Sequence, residues 1–298
     1  MMEKYHQKIS FVIVLFLTTT LVGSFTLSSS SIYASSDNGT NNNTTLIEPE
    51  ASQGMATPNT ATTTASANAT STTPSIVLVH GSWVDGSFWR KVIPILQNEG
   101  HRVIAAQLPL HSLADDVATV KRAVDLVDGP TILVGHSYGG FVITNAGYNN
   151  QNVTGLVYLA AFAPDEGESL NDLVPPESVP PGFFILDSGG FAYINPDIFT
   201  QAFAQDANLT EAGIMAPVQK PFNQSIAGEK SGPPAWKQLP TWYQVSEDDH
   251  VIPPDAERMF AQRMNATTLS INSSHVAPVS HPDEIAQFIL NATKGSTD

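Results

Sequence analysis

Six residues in a row, Gly135-His136-Ser137-Tyr138-Gly139-Gly140, put a serine between glycines directly after the apolar run Thr131–Val134 and before a helical pattern. A serine hydroxyl is a poor nucleophile until a base takes its proton, so such a residue needs a histidine and an orienting carboxylate. Small neighbours suit a sharp strand-to-helix turn that pushes the hydroxyl out above a sheet, with the positive end of the next helix behind it. Downstream stand Asp249, after the apolar run Trp242–Val245, and His275, after Thr268–Ile271. The order is serine, aspartate, histidine.

Each assignment has rivals. Asp248 adjoins Asp249, but neighbouring side chains in a strand-end loop point in different directions, and Asp249 heads the D-x-x-I-P run that opens the next helix. His281, in Ser280-His281-Pro282, looks like a helix entry with proline in the first turn, which leaves His275 as the better base. His101 opens a strand, His250 abuts Asp249, and His111 follows Val103–Ala106 in a loop, where it reads as solvated or as a substrate contact. An oxyanion hole needs two backbone amides. Tyr138, after the serine, would supply one, and Ser82 in His80-Gly81-Ser82-Trp83 the other, with Gly81 letting the chain fold back towards Ser137.

The elements that must carry these residues alternate. Short apolar runs at Ile76–Val79, Val103–Ala106, Thr131–Val134, Leu156–Leu159, Trp242–Val245 and Thr268–Ile271 read as six strands buried on both faces. Helical patterns fall between them at Ser87–Asn98, Leu113–Val127, Gly139–Tyr148, Asp255–Met264 and Asp283–Asn291. This predicts an α/β fold with a mostly parallel six-stranded sheet flanked by helices, over residues 75–298. Residues 164–240 break the rhythm yet are rich in aromatics, and read as a lid. Its Phe183, Phe184, Phe191 and Phe203, with Trp83, are the candidate substrate-binding residues for an apolar acyl or aryl group.

Ahead of this domain, Lys4 and Lys8 precede an apolar run from Ile9 to Leu27, and small residues follow to Ala34. That pattern predicts an export signal over residues 1–34, and the run fits both a cleaved signal and a retained anchor. Lysines before the run send the remainder outward, so the expected location is secreted or on the outer face of the membrane. Residues 35–74, dominated by Asn, Thr, Ser and Ala, read as a flexible stalk. Ten N-x-Ser/Thr sequons, among them Asn38, Asn68, Asn152, Asn208 and Asn291, fit an extracellular glycoprotein.

A net charge of −15 with only 13 Lys and Arg argues against a nucleic-acid partner. The chain has no cysteine, which excludes disulfides, thiolate metal sites and a cysteine nucleophile. No metal-ligand spacing is present, and Gly135–Gly140 lacks the lysine of a phosphate loop.

With H-G-S-W, G-H-S-Y-G-G, D-H-V-I-P and S-S-H-V in order, the chain resembles the α/β-hydrolase superfamily from about residue 75 to 293. It looks most similar to a compact group near the plant salicylate-methylester esterases and the hydroxynitrile lyases. That resemblance implies no cofactor, a triad of Ser137, Asp249 and His275, and oxyanion amides at Ser82 and Tyr138. The expected activity is cleavage of a carboxylic ester or lactone, a small-molecule substrate. Lyases of the group usually carry threonine where Gly81 stands and lysine where Val276 stands, so a cofactor-free lyase is the weaker reading. The common D-L-P-G segment reads Gln107-Leu108-Pro109-Leu110 here, so that pocket wall is not inherited. The fold also serves as receptors and adhesion modules, so non-catalytic ligand binding is the other alternative, and an intact triad counts against it.

Overall fold

The computed structural model describes residues 73–296. The expected leader, and all but the last two residues of the expected stalk, lie outside the described residues.

Nine strands and nine helices follow one another among the described residues. The chain begins with β1 (Ser75–Val79), a 3-10 turn (Gly86–Trp89), α1 (Val92–Asn98), β2 (Val103–Ala106), α2 (Leu113–Asp125), β3 (Thr131–His136), α3 (Tyr138–Ala146) and β4 (Val153–Leu159). An insertion follows with α4 (Leu170–Leu173), β5 (Phe184–Leu186), β6 (Phe191–Ile194), α5 (Pro196–Phe203), α6 (Leu209–Met215) and β7 (Phe222–Asn223). The chain then returns as β8 (Thr241–Ser246), α7 (Pro254–Arg263), β9 (Thr267–Ile271), α8 (Ala277–Ser280) and α9 (Pro282–Gly295).

The main sheet runs β2-β1-β3-β4-β8-β9, with every neighbouring pair parallel. β1 and β3 are buried along their whole length, as near-continuous apolar strands covered by helices on both faces should be, and β8 is buried throughout although Thr241, Gln244 and Ser246 are polar. The edges differ from the sequence expectation. β9 is mostly exposed and β2 only half-buried, because an edge strand has a neighbour on one side and its polar residues, such as Thr267, Thr268 and Ser270, can face water.

One expected helix, Ser87–Asn98, is two pieces. Asp85 caps the 3-10 turn by accepting from the Ser87 amide at 2.8 Å, and α1 restarts at Val92. Pro94 explains the break, since its ring would collide with the carbonyl four residues earlier in a continuous helix. Restarting at Val92 places Pro94 in a first turn, where its missing N–H is not needed.

The insertion between β4 and β8 is a small structured layer with its own antiparallel sheet, β5-β6-β7. Because all six main strands point the same way, the loops leaving β1, β3, β8 and β9 emerge at one edge. That edge is where ligands bind in open α/β sheets.

Candidate active site

β3 ends at His136 and α3 begins at Tyr138, so Ser137 is the only residue of the turn. Its φ of 54° and ψ of −123° lie in a region that residues with a side chain rarely occupy. The turn is held by its backbone: the Ser137 amide donates to Leu159 at 3.2 Å, and its carbonyl accepts from Gly140 and Phe162 at 3.0 and 3.1 Å. Glycine is required around it. A Cβ on Gly135 would come within 2.6 Å of the Gly139 carbonyl oxygen, and one on Gly81 within 2.7 Å of the Ser137 Cβ.

His275 and Asp249 meet as the sequence order requires. Asp249 Oδ2 lies 2.5 Å from His275 Nδ1, and both side chains are fully buried. Asp249 Oδ1 accepts from the Val251 and Ile252 amides at 2.6 and 2.9 Å, so the D-x-x-I-P run fixes the carboxylate through its own following backbone. A proton on Nδ1 leaves Nε2 as the basic nitrogen. Nε2 is buried without a hydrogen-bond partner. The hydrogen bond from serine to such a nitrogen commonly tightens only when substrate arrives.

The rivals have other work. Asp248 faces the insertion, where Gln205 Nε2 donates to its carbonyl oxygen at 2.5 Å, and His250 Nδ1 lies 3.0 Å from the Gln201 carbonyl oxygen. His281 stands at the N-cap position of α9 ahead of Pro282, with its Nε2 3.2 Å from the Asn272 carbonyl oxygen. His111 is exposed and meets Phe191 edge-on at 5.5 Å.

Two buried histidines brace the loops. His80 Nδ1 donates to the Gly81 carbonyl at 2.8 Å while its Nε2 accepts from the Leu108 amide at 3.0 Å. Burial brings its pKa down to about 4, so it is neutral in that role. It thereby ties the loop after β1, which carries the buried Ser82, to the segment after β2. Tyr138 opens α3, and the first amides of a helix have no partner within it. His136 Nε2 donates to the His275 carbonyl at 2.8 Å, and burial followed by the neighbouring His275 charge holds its pKa well below the usual histidine value.

Asp116 is a residue that the sequence reading did not single out. Fully buried on α2, it accepts from the Leu110 amide and from the Tyr138 hydroxyl, both at 2.8 Å. It thereby ties the segment after β2 to the residue beside the serine. Burial pushes its pKa up to about 6, against the pull of those two hydrogen bonds. The signal was present in the sequence, since Asp116 shares an apolar helix face with Leu113, Val120, Ala123 and Val124. A carboxylate on such a face must find donors inside.

The insertion closes over this edge. Phe203 lies 5.1 Å from the His275 ring and 6.2 Å from Trp83. Trp83 stacks on Phe184 at 5.1 Å and meets Phe222 edge-on at 6.1 Å, and Phe183 packs against Phe184 at 4.8 Å. Phe222, which also touches Tyr138 at 5.3 Å, joins this cluster, whereas the contact of Phe191 is with His111. Trp83 itself has a φ of 64° and is pinned by its indole N–H to the Ala192 carbonyl at 3.1 Å. Ser137 is 3% exposed and His275 not at all. Among the described residues no group of three or more His, Asp or Glu side chains is placed to hold a metal ion.

The α/β-hydrolase family model matches residues 76–288. The chain belongs to that family. It is 37% identical over 132 residues to a carbendazim hydrolyzing esterase of Nocardioides sp., a match that covers 39% of this chain and 53%, about half, of that protein. It is 22% identical to polyneuridine aldehyde esterase of Rauvolfia serpentina over 72% of this chain and 94% of the relative. Methylesterase 8 of Arabidopsis thaliana is 24% identical over 61% of this chain and 75% of its own. A crystal structure of polyneuridine aldehyde esterase superimposes with a TM-score of 0.65 at 21% identity, covering 73% of this chain and 98% of that one. The resemblance to plant methylesterases is therefore one of family and fold.

Proposed function

We propose that the chain hydrolyses a carboxylic ester or lactone through an acyl-enzyme on Ser137, with His275 as base and acid and Asp249 as its orienting carboxylate. A carboxylic ester hydrolase is what the family and its esterase and hydrolase relatives make of it. The observation that carries the finer reading is the buried Asp249–His275 pair at 2.5 Å, with the Nε2 lone pair free on the same edge as the strained serine turn.

His275 Nε2 takes the Ser137 proton as Oγ bonds to the ester carbonyl carbon, and Asp249 stabilises the imidazolium that forms. The carbonyl oxygen, now negative, accepts from the Ser82 and Tyr138 amides. Collapse of this intermediate breaks the bond to the alkoxy oxygen, which leaves with the proton from Nε2. Water then repeats the sequence on the acyl-serine, releasing the acid and restoring the hydroxyl.

The aromatic cluster of Trp83, Phe184, Phe203 and Phe222 supports an apolar acyl or aryl group on the substrate, since burial of such surface is the main favourable term available there. The leader pattern of residues 1–34 supports export, to the outside of the cell or to its outer face. Labelling by a fluorophosphonate, lost on Ser137→Ala, together with a hydrolysis screen over acyl length, aryl esters and lactones, tests the reading. An unlabelled, folded protein that hydrolyses none of them would leave a non-catalytic ligand-binding module.

A further inference from the structure

Next to Asp249, α7 buries a second carboxyl group. Glu257 is fully buried, on the same helix face as Phe260 and Ala261. Its Oε2 accepts from the Ser246 amide at 2.9 Å, and its Oε1 is buried with no donor in reach. The side chain lies within hydrogen-bonding reach of the Asp249 carboxylate. Two carboxylates in contact inside a protein cannot both keep their charge without a cation.

The ionisable partner of the pair is His275, on Asp249, rather than an Arg or Lys. Arg258, the next residue on α7, turns outward to Glu247 and Asp255. From β8 the facing groups are Ser246 and Tyr243, and the Tyr243 hydroxyl is spent on the Ala161 carbonyl at 2.6 Å. Ser273, in the loop after β9, reaches only as far as the Ser246 hydroxyl, at 3.0 Å. From the loop after β8 come the acidic Glu247 and Asp249 themselves.

The donors decide which member is charged. Asp249 takes three, from Val251, Ile252 and His275, whereas Glu257 takes one. Three donors stabilise a carboxylate, while an oxygen with none is satisfied by carrying a proton and giving it to its neighbour.

We propose that Glu257 is a positioning residue that stays protonated and donates its O–H to Asp249, so that the triad carboxylate is held by a neutral acid as well as by His275. Burial first, and then the charge on Asp249, push the Glu257 carboxyl well above the usual carboxylate range. The consequence is for His275. A neutral donor beside Asp249 draws off part of its charge and keeps the imidazole from becoming too basic, whereas an ionised Glu257 would add a second negative charge and raise its proton affinity. This role rests on the reading of Asp249 and His275 as triad members.

Two measurements on the folded protein test it. In the wild type, infrared spectra at pH 8 should retain a carbonyl band of a protonated carboxylic acid, at a pH where ordinary carboxyls are ionised. Absence of that band overturns the proposal, and this readout needs no variant and no turnover. The second is the pH profile of kcat/KM. Glu257→Leu should lower kcat about tenfold, the worth of one hydrogen bond to a charged group, leave KM unchanged and move the acid limb to higher pH. Glu257→Gln, whose amide can donate in the same place, should restore kcat and return the limb to its wild-type position. A Gln limb well below the wild-type position would mean that a negative charge had been removed, and would overturn the proposal. Activity that survives Ser137→Ala would end the triad reading while leaving the infrared result standing, so the two failures are distinguishable.

Discussion

The ring of Phe203, at the end of α5, lies 5.1 Å from the ring of His275. The insertion and the candidate base are thus one packed unit, and further bonds tie the same segment to the same loops. Asp206 accepts from the Ser274 amide at 3.0 Å, and Gln205 holds the Asp248 carbonyl. The insertion thus contacts both of the loops that carry His275 and Asp249.

The simplest consequence concerns the serine. Replacing Ser137 by Ala removes the nucleophile without changing the turn that holds it, so kcat should fall by about 10³-fold or more with the melting temperature little changed. Ester hydrolysis by purified protein before and after the change is the measurement, and near-full retention would remove Ser137 from the mechanism.

Asp248 and Asp249 separate cleanly. Asp249→Asn puts an amide against His275 Nδ1 and favours the wrong tautomer, so kcat should drop about 10³-fold or more. Asp248→Asn keeps the backbone carbonyl that Gln205 holds and should change kcat less than about threefold, a shift under 1 kcal/mol. Equal losses would mean that the pair acts jointly and that the assignment from geometry is wrong.

These residues were legible because their chemistry demands local signatures. The serine needs glycines within a few positions, and Asp249 is fixed by amides two and three residues on, so both write themselves into short motifs. The interior strands were legible as unbroken apolar runs, which only a sheet covered on both faces requires. Asp116 and Glu257 were not found, because no motif joins them to their partners: Leu110 and Tyr138 lie 6 and 22 residues from Asp116, and Ser246 lies 11 from Glu257. What marked them was a carboxylate on an apolar helix face, a signal visible without knowing the partner. The insertion was legible as an aromatic-rich break in the strand rhythm between β4 and β8, but not as α4 to α6 with a three-stranded sheet. β7 has only two residues, and the pattern of so short a strand is set by Leu110 and Phe191 across from it rather than by its own sequence.

Asp116 gives a pH-dependent stability with a definite sign. Its pKa is raised from 3.8 to about 6 in the folded protein, so between those values the folded state binds more protons than the unfolded one. Stability from this group is fully present below about pH 4 and is lost as pH rises through about 6, by on the order of 3 kcal/mol. Asp116→Asn does not titrate, and its stability relative to the wild type should therefore rise between pH 4 and 7. Urea midpoints for both proteins at a series of pH values test this, and a difference that is flat or falls across that range rules it out.

The aromatic wall makes the last prediction. Phe184, Phe203 and Trp83 form one contact cluster that reaches His275, whereas the contact of Phe191 is with the exposed His111. If the substrate's apolar group displaces or lies against that cluster, shortening Phe203 should create room next to the reacting carbonyl. Phe203 is fully buried, so Phe203→Ala would risk the fold through a cavity of the kind that costs about 3–5 kcal/mol. Phe203→Leu keeps an apolar side chain of smaller reach and is the better probe. Each methylene that the new space buries contributes about 0.8 kcal/mol, or about fourfold in kcat/KM when it is felt in the transition state. The optimum of an acyl-length series should therefore move to longer chains in Phe203→Leu and in Phe184→Leu, and stay in place for Phe191→Leu. An unchanged optimum in the first two, with melting temperatures near the wild type, would show that these rings only pack the insertion. A shift in the third would place the acyl group against the β5–β6 hairpin instead.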